Sequence, residues 1–170
     1  MSANPTETTA AAPQDRPEGF RRVSDALAAR GHPHAPGFLS SSARTGQEAA
    51  DALGIVVGQI AKSIVFRRRS DDAAVLVVTS GDKRVDEKKV AALVGAVGRA
   101  DADFVKAATS FTIGGVAPVG HERPPVMLVD RELFRFDIIW AAAGHPNGVF
   151  ELTPAQLVEL TGAPVGDVTA

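Results

Sequence analysis

Apolar residues in the first third of the chain recur at the spacing of amphipathic helices. Pro17 suits the first turn of a helix that runs to about Arg30, before Gly31. The apolar positions of this helix share one face: Phe20, Val23, Ala26 and Leu27. Further along, Thr45 followed by Glu48 fits a capping box and predicts a helix over 46–53.

The middle and end of the chain carry short apolar runs rich in β-branched residues, which are typical of strands. Ile60–Phe66 and Ala73–Thr79 flank a polar turn and predict a hairpin. Val126–Val129 predicts a further strand. Ile138–Ala143 and Val149–Leu152 predict a second hairpin around a turn rich in glycine.

Three more helices are predicted between and after these strands. Asp86 can cap a helix to about Val97, whose buried residues would be Val90, Leu93, Val94 and Val97. A short helix is predicted over Asp101–Ala108. Thr153 and Pro154 supply an N-cap and a first helical residue, and Gly162 ends that helix.

Helices and hairpins that alternate in this way predict a mixed α/β (α+β-like) domain. The sheet is expected to be largely antiparallel, because a doubly wound parallel sheet has no use for hairpins. Residues 16–170 are predicted to form one domain. Residues 1–15, rich in Ala, Thr and Pro, are predicted to be a disordered tail.

Composition excludes several classes of protein. The 170 residues include no cysteine, so disulfides, thiolate catalysis and Cys-ligated zinc are excluded. No apolar run is long enough to span a membrane, and the N-terminus lacks the features of a signal peptide, so we expect a soluble, cytoplasmic protein. The net charge of −2 argues against wrapping a long duplex. Local basic clusters such as Arg67–Arg69 are compatible with contact to a nucleic-acid end, or with solvated turns.

Two features suggest a binding site for a carbonyl or phosphate oxygen. The loop Gly114–His121 holds three glycines and a proline, so it can leave backbone N–H groups free for a ligand, although a tight structural turn needs the same residues. Lys62 interrupts the apolar strand Ile60–Phe66, where a buried lysine is costly unless it meets a counter-charge or ligand. The alternative is an edge strand from which Lys62 extends to water.

Other polar candidates carry weaker signals. His121 and His145 lie at Gly/Pro turns and are candidate substrate contacts or general acid–base groups, but neither has a sequence partner for a triad. Asp130 ends a strand and is either a cap or a ligand-positioning carboxylate. His32 and His34 flank a proline in a loop, without the further ligands that a metal site requires.

Together these features resemble one family, the YbaK / prolyl-tRNA synthetase-associated editing domains. The resemblance rests on the strand Ile60-Ala61-Lys62-Ser63, Ser80-Gly81-Asp82, the loop from Gly114 to Pro118, Val129-Asp130 and the hairpin at Ala142-Ala143-Gly144. It covers the chain from about Phe20 to Val168. It implies a curved, barrel-like sheet flanked by helices, with no metal or organic cofactor.

The resemblance also implies an activity, the hydrolysis of the ester of a mischarged tRNA, typically tRNA(Pro) that carries a small amino acid. The expected partner is the acceptor end of that tRNA, with prolyl-tRNA synthetase or an elongation factor as a transient protein partner. Lys62 then takes the place of the lysine that contacts the terminal adenosine. The loop of Gly114, Gly115, Val116, Ala117 and Pro118 takes the place of the loop whose amides hold the aminoacyl carbonyl. Ser63, His121, Asp130, Gly144 and His145 are expected to contact substrate.

Two departures from the family pattern concern specificity. Ser110-Phe111 stands where many relatives have Thr-Gly and an aromatic residue, and His121 stands where the cysteine-specific branch has Lys or Met. Three alternatives stay open: a non-catalytic module of the same fold that binds tRNA or a synthetase, a hydrolase or binder of small nucleotides or acyl esters, and a purely structural domain.

Overall fold

Four of the five helices in the described residues follow a residue whose side chain caps them, whereas the first follows Pro17 without such a cap. The computed structural model describes residues 6–7 and 16–170. The helices within them are α1 (Glu18–Ala29), α2 (Gly46–Leu53), α3 (Glu87–Val94), α4 (Ala102–Thr109) and α5 (Pro154–Thr161). In α2 the Thr45 side chain accepts the Glu48 N–H, and Gly54 ends the helix in the left-handed conformation at φ 71°.

Strands of the described residues form one mixed sheet. They are β1 (Thr6–Glu7), β2 (Gly37–Leu39), β3 (Ile60–Arg68), β4 (Ala74–Ser80), β5 (Val97–Arg99), β6 (Val126–Asp130), β7 (Ile139–Ala142), β8 (Gly148–Leu152) and β9 (Val165–Gly166). Their order is β1-β2-β8-β7-β3-β4-β6-β9, and β5 also pairs with β3.

The predicted fold class is confirmed, with a refinement of the sheet's shape. Antiparallel pairings include the hairpins β3–β4 and β7–β8, while β3–β7, β4–β6 and β6–β9 are parallel. The path of pairings is open, because it begins at β1 and ends at β9 without joining them. The expected barrel is therefore an open mixed sheet with helices on it.

Apolar residues cover both faces of the central strands, which explains why β4 is apolar at every position from 75 to 78. Leu76 and Val78 belong to the main core with Phe20, Phe111 and Phe150. Residues of the opposite face pack on α3 and β5 in a second cluster: Phe66, Val75, Val77, Val90, Val97 and Leu128. A third cluster joins α2 to β2, β7 and β8 through Leu39, Leu53, Trp140 and Val149.

The predicted end of α3 is wrong. The helix stops at Val94, because Gly95 adopts φ 97°. Val97 then pairs with Arg68 as part of β5, so its burial comes from the sheet, and Leu93 is 55% exposed. Val97, which helical periodicity assigned to α3, thus belongs to a strand that pairs with a distant part of the chain.

The predicted disordered tail falls mostly outside the described residues. Thr6 and Glu7 are described, and they pair antiparallel with Leu39 and Phe38 of β2. Disorder of the tail as a whole stays a prediction.

Candidate active site

The site begins at a gap in the pairing of β3. On the side away from β4, β7 pairs with β3 only at Ile60 and Ala61. On the same side β5 begins its pairing at Phe66. The strand edge between these two partners, residues 62–65, has no neighbouring strand among the described residues.

The backbone of Ser63 faces this gap. Arg68 donates its N–H to Ala73 O on the β4 side (2.8 Å), whereas Arg69 donates its N–H to Ala96 O on the β5 side (2.9 Å). Peptide groups alternate between the two sides of a strand. The N–H and C=O of Ser63, an odd-numbered residue like Arg69, therefore point into the gap.

A cavity of about 590 Å³ opens at this gap. It lies within the range of about 300–1,000 Å³ typical of small-molecule sites. Its lining comes from β3, β7, β8, the start of α2 and the glycine loop, and it is mainly apolar: Leu39, Ala43, Ala49, Ile60, Ala61, Ile64, Ile113, Val116, Trp140, Ala141, Ala142 and Val149. Two cations, Lys62 and Arg44, also line it.

Lys62 is half-buried on the same face of β3 as Ile60 and Ile64. Within residues 16–170, no carboxylate lies within salt-bridge distance of its ammonium group, and no carboxylate lines the cavity. The lining therefore presents positive charge without a protein counter-charge, which favours an anionic ligand such as a phosphate.

The glycine loop brings backbone donors to the same cavity. Gly114 and Val116 line it, and neither N–H has an acceptor among the described residues. The N–H of Gly115 is committed to Thr112 O (3.0 Å) in a turn, and Pro118 has no N–H. Of the five predicted loop residues, Gly114 and Val116 thus combine a place in the lining with an N–H that has no acceptor among the described residues.

Close backbone contacts fix this loop. A Cβ on Gly115 would lie 2.9–3.0 Å from the backbone N, Cα and C of His145, so the loop and the β7–β8 turn touch without a side chain between them. The His145 side chain is turned to its own hairpin, where Nδ1 accepts the Asn147 N–H (3.1 Å). His145 therefore contributes its backbone to the site's architecture.

The remaining predicted residues lie away from the cavity. Ala117 is fully buried in the main core. Pro118 and His121 line a second hollow of about 180 Å³, apart from the first. Gly144, at φ 80°, packs directly against the backbone of Gly19 at the start of α1.

The His121 side chain contacts the backbone of its own loop and does not line the first cavity. Its Nε2 lies 2.7 Å from Ala117 O. Since a carbonyl only accepts, Nε2 carries the proton and Nδ1 is left as a buried acceptor without a partner among the described residues. Burial, with the nearby Arg22 guanidinium adding to it, holds the pKa of His121 below its ordinary value.

Asp130 is a buried structural carboxylate. It accepts hydrogen bonds from Thr79 Oγ1 (3.0 Å), Ser80 N–H (3.1 Å) and Glu132 N–H (2.9 Å). It thereby joins the ends of β4 and β6 and caps the 3₁₀ turn Arg131–Arg135. Of the two roles left open by the sequence, the geometry favours the cap.

Sequence reasoning missed the part of the lining that precedes and begins α2, namely Arg44, Thr45 and Gly46, and the single tryptophan, Trp140. The capping box at Thr45 located the helix but carried no sign of what its first turn faces. The signal that the sequence offered was Arg44, which stands just before the N-cap Thr45 and so places a cation beside the N-terminus of α2.

Comparison with known proteins places this geometry in a family. The model of the aminoacyl-tRNA editing domain matches residues 40–169, and the chain belongs to that family. The predicted resemblance is confirmed, and family membership supports aminoacyl-tRNA deacylase function in general, with mischarged tRNA as the implied substrate.

Individual proteins are also similar to this chain in sequence or structure. The chain is similar to a proposed trans-editing enzyme for prolyl tRNA synthetase, with 41% identity and a TM-score of 0.85 over 91% of this chain and 99% of that one. It is also similar to a scaffold protein used for computational grafting of linear epitopes, with 39% identity and a TM-score of 0.83 over the same shares. The uncharacterized protein YwhH of Bacillus subtilis (strain 168) is 36% identical over 129 residues, 75% of this chain and 81% of YwhH.

Within residues 6–7 and 16–170, no group of three or more histidine, aspartate or glutamate side chains is arranged to hold a metal ion. None of the described helices has the length and apolar character needed to cross a membrane.

Proposed function

We propose that this chain hydrolyses the ester of mischarged tRNA in trans, and that its substrate is tRNA(Pro) carrying a small amino acid such as alanine, serine or threonine. The observation that carries the proposal is the convergence of Lys62 with Gly114 and Val116 on one cavity. An aminoacyl ester on a terminal nucleotide offers both groups that such a lining can bind, an anionic phosphate and a carbonyl oxygen.

Each group has a role that follows from its charge. The Lys62 ammonium neutralises the phosphate of the terminal nucleotide and holds it at the mouth of the cavity. The N–H groups of Gly114 and Val116 donate to the ester carbonyl and stabilise the negative charge that develops on its oxygen as water adds. Neither a histidine nor a carboxylate lines the cavity. The ribose hydroxyl beside the ester positions the water, and the ester needs less activation than an amide.

Small residues make up a large part of the cavity lining, namely Ala43, Ala49, Ala61, Ala141 and Ala142. A mainly apolar pocket discriminates poorly against a single hydroxyl or methylene, by about 10- to 200-fold. We therefore expect alanine, serine and threonine esters to be accepted in varying degree and the cognate proline ester to be rejected by its ring.

The first test is deacylation of Ala-, Ser-, Thr-, Cys- and Pro-tRNA(Pro) by the purified chain. Accelerated hydrolysis of the small esters, with Pro-tRNA(Pro) left intact, supports the proposal. Binding of tRNA without acceleration for any ester would instead identify the non-catalytic module of the same fold. Competition by uncharged tRNA separates a tRNA enzyme from a hydrolase of small acyl esters.

The second test removes the cation. Lys62→Ala should lower kcat/KM for deacylation by about 10- to 100-fold, since a hydrogen bond to a charged group such as the phosphate contributes about 1.5–3 kcal/mol. Lys88→Ala, at an exposed lysine in the first turn of α3, is the matched control and should leave the rate unchanged. Equal rates for the wild-type chain and Lys62→Ala would exclude the assigned role.

A further inference from the structure

One arginine outside the cavity holds both ends of the glycine loop. Arg22, on α1, donates from Nε to Gly120 O (3.1 Å), near the end of the loop 114–121. Its two terminal nitrogens donate to Ser110 O and Thr109 O (both 3.2 Å), before the loop. The three nitrogens of one guanidinium group thus join segments about ten residues apart.

The loop between these ends has little support of its own. Between residues 111 and 119 the described residues form one internal backbone hydrogen bond, from Gly115 N–H to Thr112 O. No helix or strand includes these residues. The position of the amides of Gly114 and Val116 therefore depends on contacts with other elements, both the backbone of His145 and side chains that reach the ends of the loop.

Aromatic packing adds to the same contact. The Arg22 guanidinium lies over the Phe111 ring, 4.3 Å from its centroid. The His121 ring meets the edge of Phe111 at 5.2 Å while its Nε2 holds Ala117 O. Phe111 is thereby fixed from two sides, and α1 contacts the loop closely enough that a Cβ on Gly120 would lie 3.3 Å from the backbone of Arg22.

We propose that Arg22 is a positioning residue for the proposed deacylation, which clamps the ends of the glycine loop so that its amides meet the ester carbonyl. The inference rests on the proposed function only for its catalytic consequence. The contacts by which Arg22 holds the loop in place do not depend on that function. Lysine cannot replace the arginine, because the donors of an ammonium group leave one nitrogen, whereas the guanidinium spreads its donors over three nitrogens in a fixed plane.

The kinetic test compares Arg22→Met and Arg22→Lys with the wild-type chain. A displacement of the amides by about 1 Å costs roughly 10- to 100-fold in kcat, and we expect that loss in both variants. Affinity for uncharged tRNA should stay within about twofold, because Arg22 does not line the cavity. Arg30→Met is the control, as Arg30 follows α1 and reaches only Glu159 O, at 3.4 Å.

Chemical rescue separates positioning from general loss of structure. Methylguanidinium at millimolar concentration should restore part of the kcat of Arg22→Ala and leave Arg30→Ala unchanged. Wild-type kcat in Arg22→Met, or a parallel loss of kcat, tRNA affinity and melting temperature without rescue, would overturn the proposal.

Hydrogen exchange tests the clamp independently of activity. In Arg22→Met the amides of residues 112–119 should exchange faster, with α5 unchanged. If the wild-type chain hydrolyses no ester, the proposed function fails while this comparison still decides the clamp. Unchanged exchange in the loop would exclude it.

Discussion

Substitution of Gly115 by alanine tests whether backbone contact between the glycine loop and the β7–β8 turn sets the site. The new Cβ would lie 2.9–3.0 Å from three backbone atoms of His145. Ordinary carbon contacts are about 3.5–4.0 Å, so the two segments must separate by about 0.5 Å or more. None of the three atoms can rotate away. We expect a loss of about 1–3 kcal/mol in the free energy of unfolding, as for other overpacked positions.

Urea denaturation followed by the fluorescence of Trp140 measures this loss, and deacylation measures its catalytic effect. With a slope of about 2 kcal/mol per molar urea, the midpoint should fall by roughly 0.5–1.5 M. Since the amides on either side of Gly115 move with it, kcat should fall by about 10- to 100-fold. Gly46→Ala is the control for stability, because its Cβ would meet only Val57 Cγ2 at an ordinary 3.6 Å. A Gly115→Ala protein with the wild-type midpoint and rate would refute the reasoning.

Three further substitutions have expected outcomes. Asp130→Asn should lower the free energy of unfolding by about 1–3 kcal/mol, because an amide cannot accept from all three donors of the buried carboxylate; urea denaturation measures it, and an unchanged midpoint contradicts it. The pKa of His121 is lower in the folded protein than in the unfolded chain, so the unfolded chain binds the proton first as the pH falls. The urea concentration at the midpoint should therefore decrease when the pH is lowered from about 7.5 to about 5.5, and His121→Gln should reduce this dependence on pH. Gly19→Ala should lower the melting temperature, because contact of the new Cβ with Gly144 O outweighs a gain in helix propensity of about 1 kcal/mol; a raised melting temperature would contradict this.

The elements that could be predicted are those whose signals are local. The bounds of α2 match the prediction because its N-cap Thr45 and its C-cap Gly54 each act within four residues. The strand β3 was recognised because Ile60, Ile64, Val65 and Phe66 are residues that favour strands. Strands β5 and β9, three and two residues long, exist only through partners distant in sequence. Their sequences hold no periodicity that could have revealed them.

The same distinction separates the site residues. Lys62 and Gly114 were found because each is chemically conspicuous in its own segment. His121 was assigned to the ligand from its neighbourhood in sequence, but the chain passes through the core at Ala117 and emerges beside another hollow. Arg22 was missed for the opposite reason: it lies on an ordinary amphipathic helix, and its contacts are 87–98 residues away.

The gap in the sheet explains how a lysine can occupy a central strand. A cation on a strand covered on both faces would need a counter-charge, and none is near Lys62 within residues 16–170. Because β7 leaves the edge of β3 at Ala61 and β5 joins it only at Phe66, the strand is open where Lys62 lies. The side chain is therefore half-buried at a cavity, where its charge is accessible to solvent and to an anionic ligand. The strand order that builds the core on both sides of this opening thus also leaves Lys62 accessible to a ligand. A strand paired with β3 at residues 62–65 would close the gap and remove the candidate site, even with every side chain in place.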